Sequence, residues 1–157
     1  MHPNAQLIQR FYTAFANKDA AGMAACYHPQ VRFSDPAFPD LRGAAASAMW
    51  AMLLSRGKDL IVRFSEVHAD DQHGRAHWDA TYTFSKTGRT LLNRIDASFR
   101  FQDGLIIEHR DVFSFARWSR QALGAPGWLL GHTGFLQRKV QAEAAKGLAA
   151  WRAQNGA

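Results

Sequence analysis

Four segments between Leu60 and Phe115 constrain this chain more than any other feature. Leu60 to Ala69, Arg75 to Ser85, Thr90 to Phe101 and Leu105 to Phe115 are rich in β-branched and aromatic residues. Asp70-Asp71-Gln72-His73-Gly74, Lys86-Thr87-Gly88 and Asp103-Gly104 separate them. Short polar loops ending in glycine between such runs are hairpin turns, so the four segments read as an antiparallel meander. In the second segment Trp78, Ala80, Tyr82 and Phe84 alternate with His77, Asp79, Thr81 and Thr83. Successive side chains of a strand point to opposite faces, so the sheet has an apolar inside that something must cover.

Helices supply the cover. Leu7, Ile8, Phe11, Tyr12 and Phe15 have one-face helical spacing after a capping Asn4. Asp19 caps a short second helix through Met23 and Cys26 that Pro29 stops, and Val31 to Asp35 reads as a short strand broken by Pro36 and Pro39. Between Gly43 and Gly57, Met49, Trp50, Leu53 and Leu54 make a third helical stripe. Leu136, Val140, Ala144, Leu148 and Trp151 make a last one, after a glycine-punctuated connector over 124–131. The expected fold class is α+β, a cone-shaped curved antiparallel sheet wrapped around N-terminal helices, with an extra C-terminal helix. One domain is expected, 1–116 forming its body and 117–157 a helical extension of it.

With 47% hydrophobic and 12% aromatic residues over 157 positions, the chain can close a core. No run approaches the roughly 20 apolar residues of a membrane span, and Met1 to Arg10 lack the layout of a secretory signal. With Cys26 alone, no disulfide framework is possible, which suits a reducing compartment. A cytoplasmic protein with no membrane partner is expected. The net charge is +6, but Lys and Arg are spread from Arg10 to Arg152 without a run, which argues against nucleic acid. The seven histidines form no ligand set, and neither a phosphate loop, a dinucleotide fingerprint nor a Gly-x-Ser-x-Gly elbow occurs. No metal and no cofactor are expected.

The element order, Phe33-Ser34-Asp35-Pro36 after the second helix, and the hairpin from Phe99-Arg100-Phe101-Gln102-Asp103-Gly104 through Leu105-Ile106-Ile107-Glu108-His109-Arg110-Asp111 resemble the nuclear transport factor 2-like superfamily. The likeness is to its ketosteroid isomerase and SnoaL-like polyketide cyclase branch and covers about residues 5 to 116. It implies a general base at Asp35 and an acid/base aspartate at Asp111, with His109 beside it. It also departs from the isomerase: the oxyanion-hole tyrosine falls on Phe11, next to Tyr12, and the second oxyanion donor on Asp96 or Ala97. A steroid isomerase is therefore not supported.

By strand alternation His109, Asp111, Phe113 and Phe115 share one face, with His109 and Asp111 about 6 to 7 Å apart at their backbones. Both could reach one small substrate, and burial among rings shifts ionisable groups toward neutrality, where proton transfer is efficient. Asp35 precedes Pro36 and is extended, either as a solvated loop carboxylate or as a pocket group. Asp96 depends on the last turn. If Asp103-Gly104 is a two-residue turn, Gln102 pairs with Leu105 and Asp96 lies across from Asp111. If Gly104 is a bulge, Asp96 faces away, which better suits an inward Phe99 and Phe101.

The catalytic candidates are thus Asp35, His109 and Asp111. Tyr12, Trp50, Trp78, Tyr82 and Phe113 are the candidate substrate-binding wall, with Trp78, Tyr82 and Phe84 pointing inward with His109. The expected function is a cofactor-independent acid/base isomerase, cyclase or lyase acting on a small apolar or carbonyl-containing molecule. The alternatives are a non-catalytic module for a hydrophobic ligand and a dimeric interaction module. A homodimer through the polar face of His77, Asp79, Thr81 and Thr83 is expected.

Overall fold

The computed structural model describes residues 1–157. The meander forms as the sequence predicts: β3 (Ile61–Ala69), β4 (His73–Phe84), β5 (Arg89–Gln102) and β6 (Leu105–Val112) pair in succession. They belong to a six-stranded, curved and unclosed sheet of order β2-β1-β6-β5-β4-β3. Two strands were read too short or not at all. β1 runs Tyr27–Ser34, with Pro29 at a register irregularity rather than at a helix end, and β2 is the pair Leu41–Arg42. The curved sheet is antiparallel as expected except at one seam, where β1 lies parallel to β6.

The last hairpin combines both turn options. Asp103 and Gly104, at φ 56 and 72, make a two-residue turn in which Gln102 pairs with Leu105. A bulge then shifts the ladder, so that Phe101 faces Ile106 but Arg100 faces Glu108. Asp96 consequently pairs with Val112 and points outward, where its carboxylate meets His77 Nδ1 at 2.9 Å. A bulge adds one residue to one strand, which flips the facing of everything beyond it.

Helices α1 (Pro3–Ala16), α2 (Ala20–Ala25) and α3 (Ala44–Arg56) pack on the concave side. Asp19 caps α2 as expected, its carboxylate accepting from Gly22 N at 2.9 Å. At α1 the cap is His2, whose Nδ1 accepts from the backbone N–H of Asn4. Ile8, Phe11, Tyr12 and Phe15 are wholly buried against Trp50, Trp78 and Phe99 in the main core.

The chain beyond β6 differs most from the reading. Phe115 does not continue the strand: Ser114 caps a new helix, α4 (Phe115–Leu123), accepting from Arg117 N at 3.2 Å. The presumed connector is itself helical, α5 (Ala125–Leu130), before α6 (Gly134–Asn155). Gly127 permits this, since a Cβ there would fall 2.0 Å from the Ser119 carbonyl oxygen. Phe115, Trp118, Ala122 and Leu136 gather with Leu91 into a second core, and Leu148 of α6 returns to the first.

Candidate functional site

His109 and Asp111 sit side by side on β6, facing the concave side, and both side chains are essentially inaccessible. His109 Nε2 lies 2.9 Å from Asp111 Oδ1, and its Nδ1 lies 2.7 Å from the Tyr27 hydroxyl. Trp50 Nε1 donates to that hydroxyl at 2.8 Å, and Trp78 Nε1 donates to Asp111 Oδ1 at 3.3 Å. An indole N–H can only donate, so Trp50 and Trp78 are the donors at the two ends of the chain. With a neutral ring beside an ionised carboxylate, Tyr27 accepts from Trp50 and donates to His109 Nδ1, and the imidazole donates from Nε2 to Asp111. Every link is then satisfied with a neutral ring, as a buried polar network requires. Oδ1 of Asp111 takes both bonds and Oδ2 takes none.

The sequence carries little signal for Tyr27. It stands at the head of a strand that was read as starting only at Val31, and its partners lie far along the chain in α3 and β6. The only sequence signal was a hydroxyl-bearing ring among apolar neighbours.

Asp35 comes to this site through the parallel ladder. Phe33 pairs with His109 and Ser34 with Arg110, so the next residue, Asp35, follows the strand direction alongside Asp111. Its Oδ1 accepts from the backbone N–H groups of Ala37 and Phe38 at 2.7 and 2.6 Å, closing a turn and leaving Oδ2 free. Burial is the main cause that pushes its pKa up to about 7, against the lowering effect of the Phe38 and Ala37 bonds; the nearby charge of Asp111 adds to the rise. The solvated-loop option is thus replaced by a half-buried carboxylate within reach of the charge of Asp111. Tyr12 is buried without any partner for its hydroxyl. Burial, and then the charge of Asp111, raise its pKa well above the ordinary value.

Of the expected wall, Tyr12, Trp50 and Trp78 surround the dyad. They do not line an open chamber, because they pack on one another, with Trp50 and Trp78 centroids 6.1 Å apart and Tyr12 6.0 Å from Trp78. Phe99, Phe33 and Phe11 close round the His109 ring at 4.5, 5.1 and 5.4 Å. Tyr82 and Phe113 are half-buried at the end near Asp35 and bridge the two cores. Tyr82 accepts from Trp118 Nε1 at 2.8 Å, and Asp35 contributes to the rise of its pKa after burial. Phe84 turns to Trp118 instead of the dyad, at 5.5 Å. Beyond the Asp35 turn, a groove of about 580 Å³ runs between Phe38, Leu41 and the Ala142, Ala145 and Ala149 face of α6. Gln137 and Gln141 of α6 both donate to the Pro36 carbonyl and hold that turn.

The sequence profile of the SnoaL-like domain matches residues 8–109. The chain belongs to the SnoaL-like family. The match takes in β1 to β5 and His109, while Asp111 and helices α4 to α6 of this SnoaL-like chain lie beyond it. No curated protein matches its sequence. Among solved structures it is similar to an NTF2-like protein of unknown function from Burkholderia pseudomallei, at 19% identity and a TM-score of 0.68 over 78% of this chain and 99% of that one. It is similar too to a protein from Jannaschia sp. CCS1 provisionally named a SnoaL-like polyketide cyclase, at 16% identity and TM-score 0.68 over 79% and 93%. A third, TerC, crystallised with polyporic acid, shares 17% identity and TM-score 0.65 over 76% and 98%. At such identities the likeness establishes the SnoaL-like fold.

The raised Asp35 has a testable sign. Its folded pKa of about 7 lies above the ordinary 3.8, so between those values the folded state holds the proton that the unfolded chain has released. The group therefore costs nothing below about pH 4 and destabilises progressively as pH rises to about 7. Asp35→Asn keeps an Oδ1 acceptor for Ala37 and Phe38 and cannot ionise. It is expected to melt at a higher temperature than the parent at pH 8 and equally at pH 4, in thermal scans by circular dichroism. Equal melting at both pH values would remove the buried-carboxylate assignment.

Proposed function

We propose that this SnoaL-like protein is a cofactor-independent acid/base enzyme that moves a proton next to the carbonyl of a small, largely apolar molecule. The observation that carries the reading is a pair of carboxylates, Asp35 and Asp111, close enough for the charge of Asp111 to raise the pKa of Asp35, each with one oxygen anchored by hydrogen bonds and the other making none. Asp111 is the base, oriented by His109 and Trp78. Asp35, poised near pH 7, exchanges the second proton, a value at which both transfer directions are efficient. The unpaired Tyr12 hydroxyl is a donor for the substrate oxygen. An isomerisation, cyclisation or elimination follows from the same step. TerC's co-crystallisation with polyporic acid supports a small organic ligand by analogy of fold alone.

The test is hydrogen–deuterium exchange beside the carbonyl of a panel of aryl and alkyl ketones in D2O, followed by proton NMR. Exchange is expected to be faster with the parent than with buffer. The second reading is a binding module that holds an apolar ligand without turnover, favoured by the complete enclosure of the His109 side chain. Ketone line-broadening with no exchange would select it.

The reading includes a homodimer through the outer sheet face, where Ile61 and Leu92 stand exposed on either side of Thr81. Light scattering at micromolar concentration is expected to give twice the chain mass, and a monomer would dismiss it.

A further inference from the structure

The helical end of the molecule exposes large apolar side chains that nothing in the fold covers. Trp128, Leu129 and Leu130 of α5 are 64%, 73% and 40% exposed, and Phe135 at the start of α6 is 62% exposed. The segment's own charge is of one sign. From Val112 to Ala142 the sequence contains no Asp or Glu, but it contains Arg117, Arg120, Arg138 and Lys139. Arg120 stacks over the Trp128 ring at 4.6 Å, and Arg89 of β5 is tied to this end by its bond to the Gln121 carbonyl. Glu143, the first carboxylate after the segment, is already shared between Lys86 and Lys146.

We propose that this α4–α5–α6 corner seats the protein on an anionic lipid surface. A second copy does not suit it. A two-fold contact brings a patch against itself, which would set Arg117, Arg138 and Lys139 against their own copies with no carboxylate from the segment to answer them. A negatively charged bilayer answers both features. Trp, Leu and Phe side chains insert roughly 5–10 Å into the headgroup boundary, while flanking Arg and Lys meet the lipid charges. This is attachment to a surface and not passage through it, in keeping with a chain in which no helix is long and apolar enough to cross a membrane.

Sedimentation with vesicles tests the proposal, using phosphatidylcholine alone and phosphatidylcholine with phosphatidylserine. The parent is expected to pellet with the anionic vesicles, to be released by salt, and to stay in solution with phosphatidylcholine alone. Trp128→Ser with Leu129→Ser is expected to lose about tenfold or more in partitioning, and Arg117→Glu with Arg138→Glu and Lys139→Glu a similar amount. Arg10→Glu, a charge change on the exposed side of α1, is expected to bind like the parent. Circular dichroism confirms that each variant is folded. A parent that ignores anionic vesicles at low salt overturns the proposal, as does a Trp128 and Leu129 double variant that pellets like the parent.

Discussion

Asp111→Asn is expected to reduce ketone exchange by about a hundredfold to ten-thousandfold, the range of a lost general base, while the protein stays folded. The amide keeps an oxygen to accept from His109 Nε2 and Trp78 Nε1, so the buried network retains both of its donors to residue 111. What disappears is the free oxygen that takes the proton in the proposed reaction. Asp111→Ala separates this from mere damage. It leaves two buried donors, His109 Nε2 and Trp78 Nε1, with no acceptor and is expected to cost about 1–3 kcal/mol for each of them. Exchange rates beside urea unfolding curves distinguish the two variants. An Asp111→Asn protein that exchanges ketones at the parent rate would end the catalytic assignment.

The second large effect is structural. Trp50 packs edge-on to Phe11, Phe15 and Phe33, lies parallel to the His109 ring at 6.0 Å, and starts the hydrogen-bond chain through Tyr27. Trp50→Ala is expected to destabilise by about 3–5 kcal/mol, because the cavity adds to the lost transfer energy. For a chain of this size that lowers the melting temperature by roughly 6–20 °C. Trp50→Phe retains most of the packing but removes the N–H, so it reports on the network. In a double-mutant cycle with Tyr27→Phe the two changes are expected to couple by about 0.5–3 kcal/mol, as neighbours in one network do. Strict additivity would show that the Trp50 to Tyr27 bond contributes nothing to holding His109.

The local elements were legible because their signals are local. Alternation from Trp78 to Phe84 and the turns at 86–88 and 103–104 are written in consecutive residues, and so are the stripe from Leu7 to Phe15 and the cap at Asp19. The same alternation placed His109 and Asp111 on one face with Trp78, where Trp78 now bonds Asp111. The second core was missed for a related reason. Gly124, Gly127 and Gly131 read as loop punctuation, whereas Gly127 is the contact that lets α5 close on α4, a role visible only with both helices in place.

What the sequence alone determined is a meander with an apolar face, helices to cover it, and a family resemblance pointing to Asp35, His109 and Asp111. Tertiary structure decided how those residues meet. The parallel pairing of β1 with β6 joins segments some seventy residues apart in sequence and carries Asp35 to Asp111. It leaves no periodic trace, since strand partners separated by a crossover are chosen by packing and not by a turn. The bulge after Ile106 had the same character: one extra residue, unmarked by glycine or proline, turned Asp96 outward and kept Asp111 inside. Tyr27 became part of the site only because that pairing set its hydroxyl between an indole from α3 and an imidazole from β6, where each buried polar atom had to find a partner.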